Sequence, residues 1–220
     1  MSTSTRATGL KTKTVRIRRK HIQKALLKEI AGDIRGGAVA IFPTETVYGM
    51  GTSAFSRRGI KNIYRLKGRR WNKPLQLLVP SLNAALPLVE AIPDEAFRLA
   101  KKFCPGPITF ILPASPLGRM VTGGLNAIGI RVPDHSLVLS LLKAVGVPVA
   151  ATSANLSGRQ PATTGAQARQ LFEKKVDWLI DGGACRLSRA SSVIDFTRFP
   201  FTVRREGAIG RKILEKVIFA

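Results

Sequence analysis

A chain of 220 residues with 45% hydrophobic content has room for one domain with a substantial core. Its 36 Lys and Arg against 13 Asp and Glu leave a formal charge of +23, a field that favours nucleotides, nucleic acid or other polyanions without choosing among them. So few acids speak against an all-protein carboxylate metal cage and against paired glycosidase carboxylates, and no apolar run approaches the ~18 residues of a membrane span.

Residues 1–20 carry Ser, Thr, Arg and Lys and no acid. They read as a disordered arm, with a transit peptide or a loose RNA-binding tail as alternatives. Residues 21–220 read as the folded domain. From His21, Ile22, Leu26, Ile30 and Ile34 recur every four residues and predict a helix, stopped by Gly36-Gly37. Residues 38–42 are a buried strand, and 43–51 a polar, glycine-bearing loop. A short helix carrying Ile60, Ile63 and Tyr64 delivers the chain to Lys67.

The stretch Lys67-Gly68-Arg69-Arg70-Trp71-Asn72-Lys73-Pro74 packs four cations into its first seven residues. Lys67, Arg69 and Lys73 can converge there on one multiply charged anion, a planar guanidinium gripping two phosphate oxygens at once. Gly68 allows a sharp turn and Pro74 ends any helix. The bland alternative is a solvated basic loop.

Further on, 75–79 reads as a strand and 93–103 as a helix with Pro93 at its start and Pro105-Gly106-Pro107 as its stop. Residues 108–112 are a strand, 117–127 a loop, and 128–132 a strand containing Arg131. A helix over 136–145 ends at Gly146. A strand over 147–151 runs into Thr152-Ser153-Ala154-Asn155-Leu156-Ser157-Gly158. A helix around 165–172, strands at 178–180, 192–195 and 201–204, and a last helix over 209–217 complete the chain. Strands and helices intermix throughout, so the class is α/β.

Ligands of open α/β sheets collect at strand ends. The loops 44–51, 67–73, 152–158 and 204–207 hold hydroxyls, an Asn amide and glycine-exposed N–H groups suited to carboxylate and phosphate oxygens. By composition alone, Thr152-Ser153-Ala154-Asn155 reads first as a helix cap or Asx turn. There is no GxxxxGK[ST], HExxH or GxSxG motif. Gly49-Met50-Gly51-Thr52-Ser53-Ala54 fits GxGxxA but lies too far past its strand, with no acid near to hold a ribose. Cys104 and Cys185 form no CxxC pair and read as free thiols of a reducing compartment, with a disulfide left open.

The chain resembles the YrdC/TsaC threonylcarbamoyl-adenylate synthases over roughly residues 21–210. The matching stretches are Phe42-Pro43-Thr44-Glu45-Thr46-Val47-Tyr48-Gly49, Lys67-Gly68-Arg69, Pro105-Gly106-Pro107-Ile108-Thr109, Gly129-Ile130-Arg131-Val132-Pro133, Ser153-Ala154-Asn155-Leu156-Ser157-Gly158 and Ser191-Ser192-Val193-Ile194-Asp195. The resemblance implies a single domain built on an open, twisted mixed sheet flanked by helices, with a large basic concave cleft. It implies condensation of L-threonine, bicarbonate and ATP into threonylcarbamoyl-AMP and pyrophosphate, with Mg2+ carried on the ATP and no dedicated metal site. The product serves modification of adenosine 37 of tRNA, so tRNA and downstream threonylcarbamoyl-transfer proteins are implied partners, a membrane is not, and the place of action is the cytoplasm.

Carried over residue by residue, the resemblance gives Lys67 and Arg69 the catalytic and phosphate-gripping roles. Thr46, Arg131 and Ser191 take threonine, with Arg131 on its carboxylate. Lys73, Ser153, Asn155 and Arg205 take the nucleotide side. Two positions depart from the pattern: Leu78 stands where many members carry His, and Glu206 replaces a Pro beside Arg205. The short, TsaC-like architecture is expected. The rival reading is a module holding double-stranded RNA or tRNA in the same cleft without chemistry.

Overall fold

The structure, a computed structural model, describes residues 11–17 and 22–219. The rest of the expected arm and the residue opening the expected first helix lie outside the described residues. In chain order the elements are β1 (Lys13–Arg16), α1 (Lys24–Arg35), β2 (Ala40–Phe42), β3 (Gly49–Ser53), α2 (Arg57–Lys67), β4 (Gln76–Leu78), a 3-10 turn (Asn83–Leu88), α3 (Asp94–Phe103), β5 (Ile108–Pro113), α4 (Pro116–Thr122), β6 (Ala127–Arg131), α5 (Ser136–Val145), β7 (Val149–Ser153), α6 (Gly165–Phe172), β8 (Trp178–Asp181), β9 (Ser192–Asp195), β10 (Thr202–Arg205) and α7 (Arg211–Ile218).

The strands form one open mixed sheet in the order β1-β8-β2-β3-β7-β4-β6-β5-β9-β10. Alternation along β2 sends Ala40 and Phe42 to one side and Ile41 to the other. On the Phe42 side, Ile30 and Ile34 of α1 pack with Leu137, Val138, Leu141 and Leu142 of α5. The Ile41 side carries the larger core, with Ile63 of α2, Leu99 of α3, Phe172 of α6 and Leu214 of α7. Among the described residues no helix is long and apolar enough to cross a membrane.

Three sequence expectations are corrected. Part of the supposed disordered arm is β1, an edge strand lying parallel to β8. Its pattern was too short to read, and long-range contacts hold it: Lys13 bonds Glu29 at 2.8 Å and lies over the Trp178 ring. The glycine-bearing loop over 43–51 runs into strand β3, antiparallel to β2. Its glycines serve packing: a Cβ at Gly49 would lie 2.8 Å from Phe42 Cε2, and one at Gly51 2.7 Å from Val149 Cγ1. The supposed loop over 117–127 holds α4, capped by the Ser115 hydroxyl accepting from the Gly118 N–H. Gly118 reads as a loop residue but is there because a Cβ would stand 2.0 Å from the Leu88 carbonyl oxygen.

Candidate active site

Strand register builds a floor. Ala151 of β7, Gln76 of β4, Gly129 of β6 and Ile111 of β5 are successive cross-strand neighbours. Two of the four are small, which keeps that row of the sheet low. Above it opens a cleft of about 420 Å³, lined also by Thr44, Thr109, Ser153, Asn155 and Ser191. That volume lies in the range of small-molecule sites. Every charged residue of the lining is an arginine: Arg69, Arg131, Arg159 and Arg205. A low-dielectric cleft with cations and no facing carboxylate attracts anions.

Helix α2 places the first signature. Its last residue is Lys67, and Gly68 at φ +58° ends the helix in the left-handed conformation that glycine adopts without strain. The chain then turns so that Arg69 faces the cleft. Arg69 Nε donates to the Lys73 carbonyl at 2.8 Å and Nη2 to the Pro74 carbonyl at 2.9 Å. Burial pulls this guanidinium below its usual range.

Lys67 does not reach the cleft. It is 2% exposed. Its ammonium donates to the Ser153 carbonyl, to the Asn155 carbonyl at 2.7 Å and to Asn155 Oδ1 at 3.0 Å. Three donors meet three acceptors, so no N–H remains for a phosphate. Lys73 is exposed and lies outside the lining, joining Arg69 only through its carbonyl. The expected convergence of Lys67, Arg69 and Lys73 on one anion is therefore not what the fold builds: Arg69 alone of the three faces the cleft.

The second signature is the turn that Lys67 holds. Ser153 ends β7, and its hydroxyl donates to Asn155 Oδ1. The Asn155 amide N–H groups donate to the carbonyls of Leu156 at 2.8 Å and Arg159 at 2.7 Å. The Asn155 side chain is thus fully engaged, its oxygen by Lys67 and Ser153 and its amide by two loop carbonyls, while still forming part of the cleft wall.

Arg131, at the end of β6, is 4% exposed. Its Nη2 donates to Glu45 Oε1 at 2.8 Å and to Thr46 Oγ1 at 2.7 Å. Glu45 and Thr46 lie behind it and outside the lining. Thr46, fully buried, bonds Arg131 and Thr44 and is outside the cavity lining. Among the described residues, Arg131 Nε and Glu45 Oε2 have no hydrogen-bond partner.

On the far wall, Ser191 Oγ bonds Thr109 Oγ1 at 2.9 Å, and Thr109 donates to Gln76 Oε1 at 3.0 Å. Arg205 grips Ser191 through Nε and Nη2 to the carbonyl, at 3.0 and 2.8 Å, and through Nη2 to Oγ at 3.1 Å. Partial burial and the nearby Arg131 charge both pull Arg205 below its usual range. The Glu206 replacement does not leave this loop loose. Ser192 Oγ accepts from the N–H groups of Gly207 and Ile209 at 3.0 and 3.1 Å and donates to the Ile209 carbonyl at 2.7 Å. Leu78, one of the two departures noted in the sequence, is 2% exposed and adds an apolar section of wall.

Of the expected site residues, Arg69, Arg131, Ser153, Asn155, Ser191 and Arg205 share this one cavity, with Lys67 and Thr46 behind its walls. Sequence reasoning missed Gln76, Thr109 and Arg159. Thr109 ends the quoted Pro-Gly-Pro stretch and could have been picked up there; Gln76 and Arg159 carry no such signal.

A family model named Sua5_yciO_yrdC and described as "Telomere recombination" matches residues 33–207. The chain is 39% identical over 201 residues to a threonylcarbamoyl-AMP synthase of Pyrococcus abyssi, covering 91% of this chain and 59% of that protein. It is 34% identical over 203 residues to a putative threonylcarbamoyl-AMP synthase of Methanocaldococcus jannaschii, covering 91% of this chain and 96% of the relative. The crystal structure of P. abyssi Sua5 complexed with L-threonine superposes with a TM-score of 0.86 at 39% identity, over 93% of this chain and 60% of that one. The chain thus spans about 60% of the length of the Pyrococcus protein.

Proposed function

This chain belongs to the Sua5/YciO/YrdC family, and from that premise we propose that it is a transferase of the nucleotidyl class, a threonylcarbamoyl-AMP synthase acting for tRNA modification. The observation that carries the proposal is the shared cavity. Arginines from four separate parts of the chain face one hollow floored by small and polar residues. The threonine-bound Sua5 relative supports L-threonine as one substrate. The relatives' names favour the synthase over the RNA-holding module without turnover.

In this reading the threonine amine attacks bicarbonate to give a carbamate anion and water. A carbamate oxygen then attacks the α-phosphorus of ATP. The bridging P–O bond breaks and pyrophosphate leaves with the electron pair. Negative charge grows on phosphoryl oxygens, so fixed guanidiniums lower the barrier. Arg131 takes the threonine carboxylate, aimed from behind by Glu45 and Thr46, and Ser191 adds a hydroxyl beside it. Arg69 and Arg205 face the phosphates, with Ser153 on the nucleotide side. Lys67 and Asn155 act through the turn they hold, by positioning. Assembly of three small substrates in one orientation is itself a large part of the acceleration.

The cleft lining offers hydroxyls, carbonyls and amides as oxygen donors and no carboxylate, which fits Mg2+ entering as part of the ATP substrate better than a resident protein-bound ion. The product is a reactive mixed anhydride, so a tRNA threonylcarbamoyl-transfer protein is the implied consumer. Cys104 and Cys185 are unpaired thiols, in keeping with a reducing, cytoplasmic setting.

The test is pyrophosphate release from ATP by the purified chain. Release that needs both L-threonine and bicarbonate is expected. Release independent of either one would rule the reading out.

A further inference from the structure

We infer that Arg159 is a further polyphosphate-binding residue of the cleft, one that closes on the β- and γ-phosphates and on the pyrophosphate they become. The inference rests on the synthase reading and deepens it. It comes from a difference among the four lining arginines. Arg69 is tied to two backbone carbonyls, Arg131 to Glu45 and Thr46, and Arg205 to Ser191. Their guanidiniums are held in place before any ligand arrives.

Arg159 is held only by its backbone. Its N–H donates to the Leu156 carbonyl at 3.0 Å, and its carbonyl accepts from Asn155 Nδ2 at 2.7 Å. Asn155 is in turn bound to the Lys67 ammonium. The Arg159 side chain lines the cleft, is exposed, and makes no hydrogen bond or ion pair among the described residues. Gly158 just before it, at φ +82°, has open space around it. The root is therefore anchored to the buried Lys67–Asn155 pair while the charged tip can swing. All five of its N–H donors remain for an incoming anion.

The chemistry has a use for such a group. When the bridging bond to the α-phosphorus breaks, charge moves onto a departing fragment. A guanidinium bound to wall carbonyls cannot follow that fragment, whereas one on a flexible stem can hold it through bond cleavage and release it with the product. Arg159 lies one residue beyond the stretch that carries the Ser-x-Asn signature, so this contribution belongs to the chain's own sequence rather than to that signature.

The experiment is calorimetric titration of the whole chain, and of Arg159→Ala and Arg159→Lys, with Mg-ATP, inorganic pyrophosphate and AMP, all without threonine. The exposed position leaves thermal stability unchanged. Arg159→Ala is expected to weaken ATP and pyrophosphate binding about tenfold, leave AMP binding nearly unchanged, and be partly rescued by Lys. Equal losses for AMP, unchanged pyrophosphate affinity, or a wild-type chain that binds no pyrophosphate would each overturn the inference. Turnover is followed in parallel. Wild-type protein without threonine- and bicarbonate-dependent release sinks the synthase reading, and the titrations still decide on Arg159. An active wild type with unaltered titrations in Arg159→Ala sinks the Arg159 inference alone.

Discussion

Lys67 and Asn155, 88 residues apart in the chain, meet beneath the cleft wall, with the lysine ammonium donating to both the backbone and the side-chain oxygen of the asparagine. Removal of the lysine strands buried acceptors. Lys67→Met is expected to lower unfolding stability by roughly 2–4 kcal/mol, since each orphaned buried acceptor costs about 1–3 kcal/mol. The pair acts as a unit, so Lys67→Met with Asn155→Ala should cost at least about 1 kcal/mol less than the two single changes summed. Urea denaturation of the four proteins checks this; strict additivity would show that the contact carries no coupling.

The same lysine gives a pH signature. Burial pushes its pKa down from 10.5 to about 7, with Arg69 adding to the shift. The neutral amine offers two donors for three acceptors, so the Ser153–Asn155 turn loosens and kcat/KM should fall as pH rises through about 7. Stability moves the other way. With the folded pKa below the unfolded one, the unfolded chain holds more protons between about 7 and 10.5, and this group's contribution to stability rises with pH across that window. Rate profiles and thermal melts over the same buffers should show opposite slopes, and the residual activity of Lys67→Met should lack the falling limb.

Glu45 is expected to matter although it lies outside the cavity. It balances a buried guanidinium, and removing one partner of such a pair costs about 3–5 kcal/mol. Glu45→Ala should destabilise by that order. Glu45→Gln keeps an acceptor for Arg131 and should fold, with a raised KM for threonine and an unaltered KM for ATP. Equal effects on both constants would place Glu45 outside the threonine end of the site.

How much of this was legible beforehand follows from where each signal lies. Helix α5 was readable because apolar spacing and a following glycine act within one turn. Strand β3 was hidden because Gly49 and Gly51 answer to the Phe42 ring, a neighbour across the sheet that no local pattern reveals. The same limit governed the site. That Arg69 would line a cleft was readable from the local charge, and for Arg131 the family resemblance implied it. That Lys67 points away from the cavity was not, because its three acceptors sit on a strand end far along the chain.

Gly207 is a backbone test of the far wall. A Cβ there would stand 2.4 Å from the Ala190 carbonyl oxygen and 2.5 Å from that of Ser191, atoms that cannot swing aside. Gly207→Ala should displace Ser191 and the Arg205 grip on it, cutting kcat/KM for threonine about tenfold or more, as misplacements near an ångström do. An exposed change in the same loop, Glu206→Ala, should leave kcat/KM within about twofold, since surface substitutions seldom matter. Steady-state kinetics on both variants decides it.

The most direct measurement is mass detection of threonylcarbamoyl-AMP in a reaction of the purified chain with ATP, L-threonine and 13C-labelled bicarbonate. A species that carries the label and disappears when any of the three substrates is left out is expected. Consumption of ATP that yields AMP or ADP, with no labelled adduct, would contradict the assignment of the arginine-lined cleft to this synthesis.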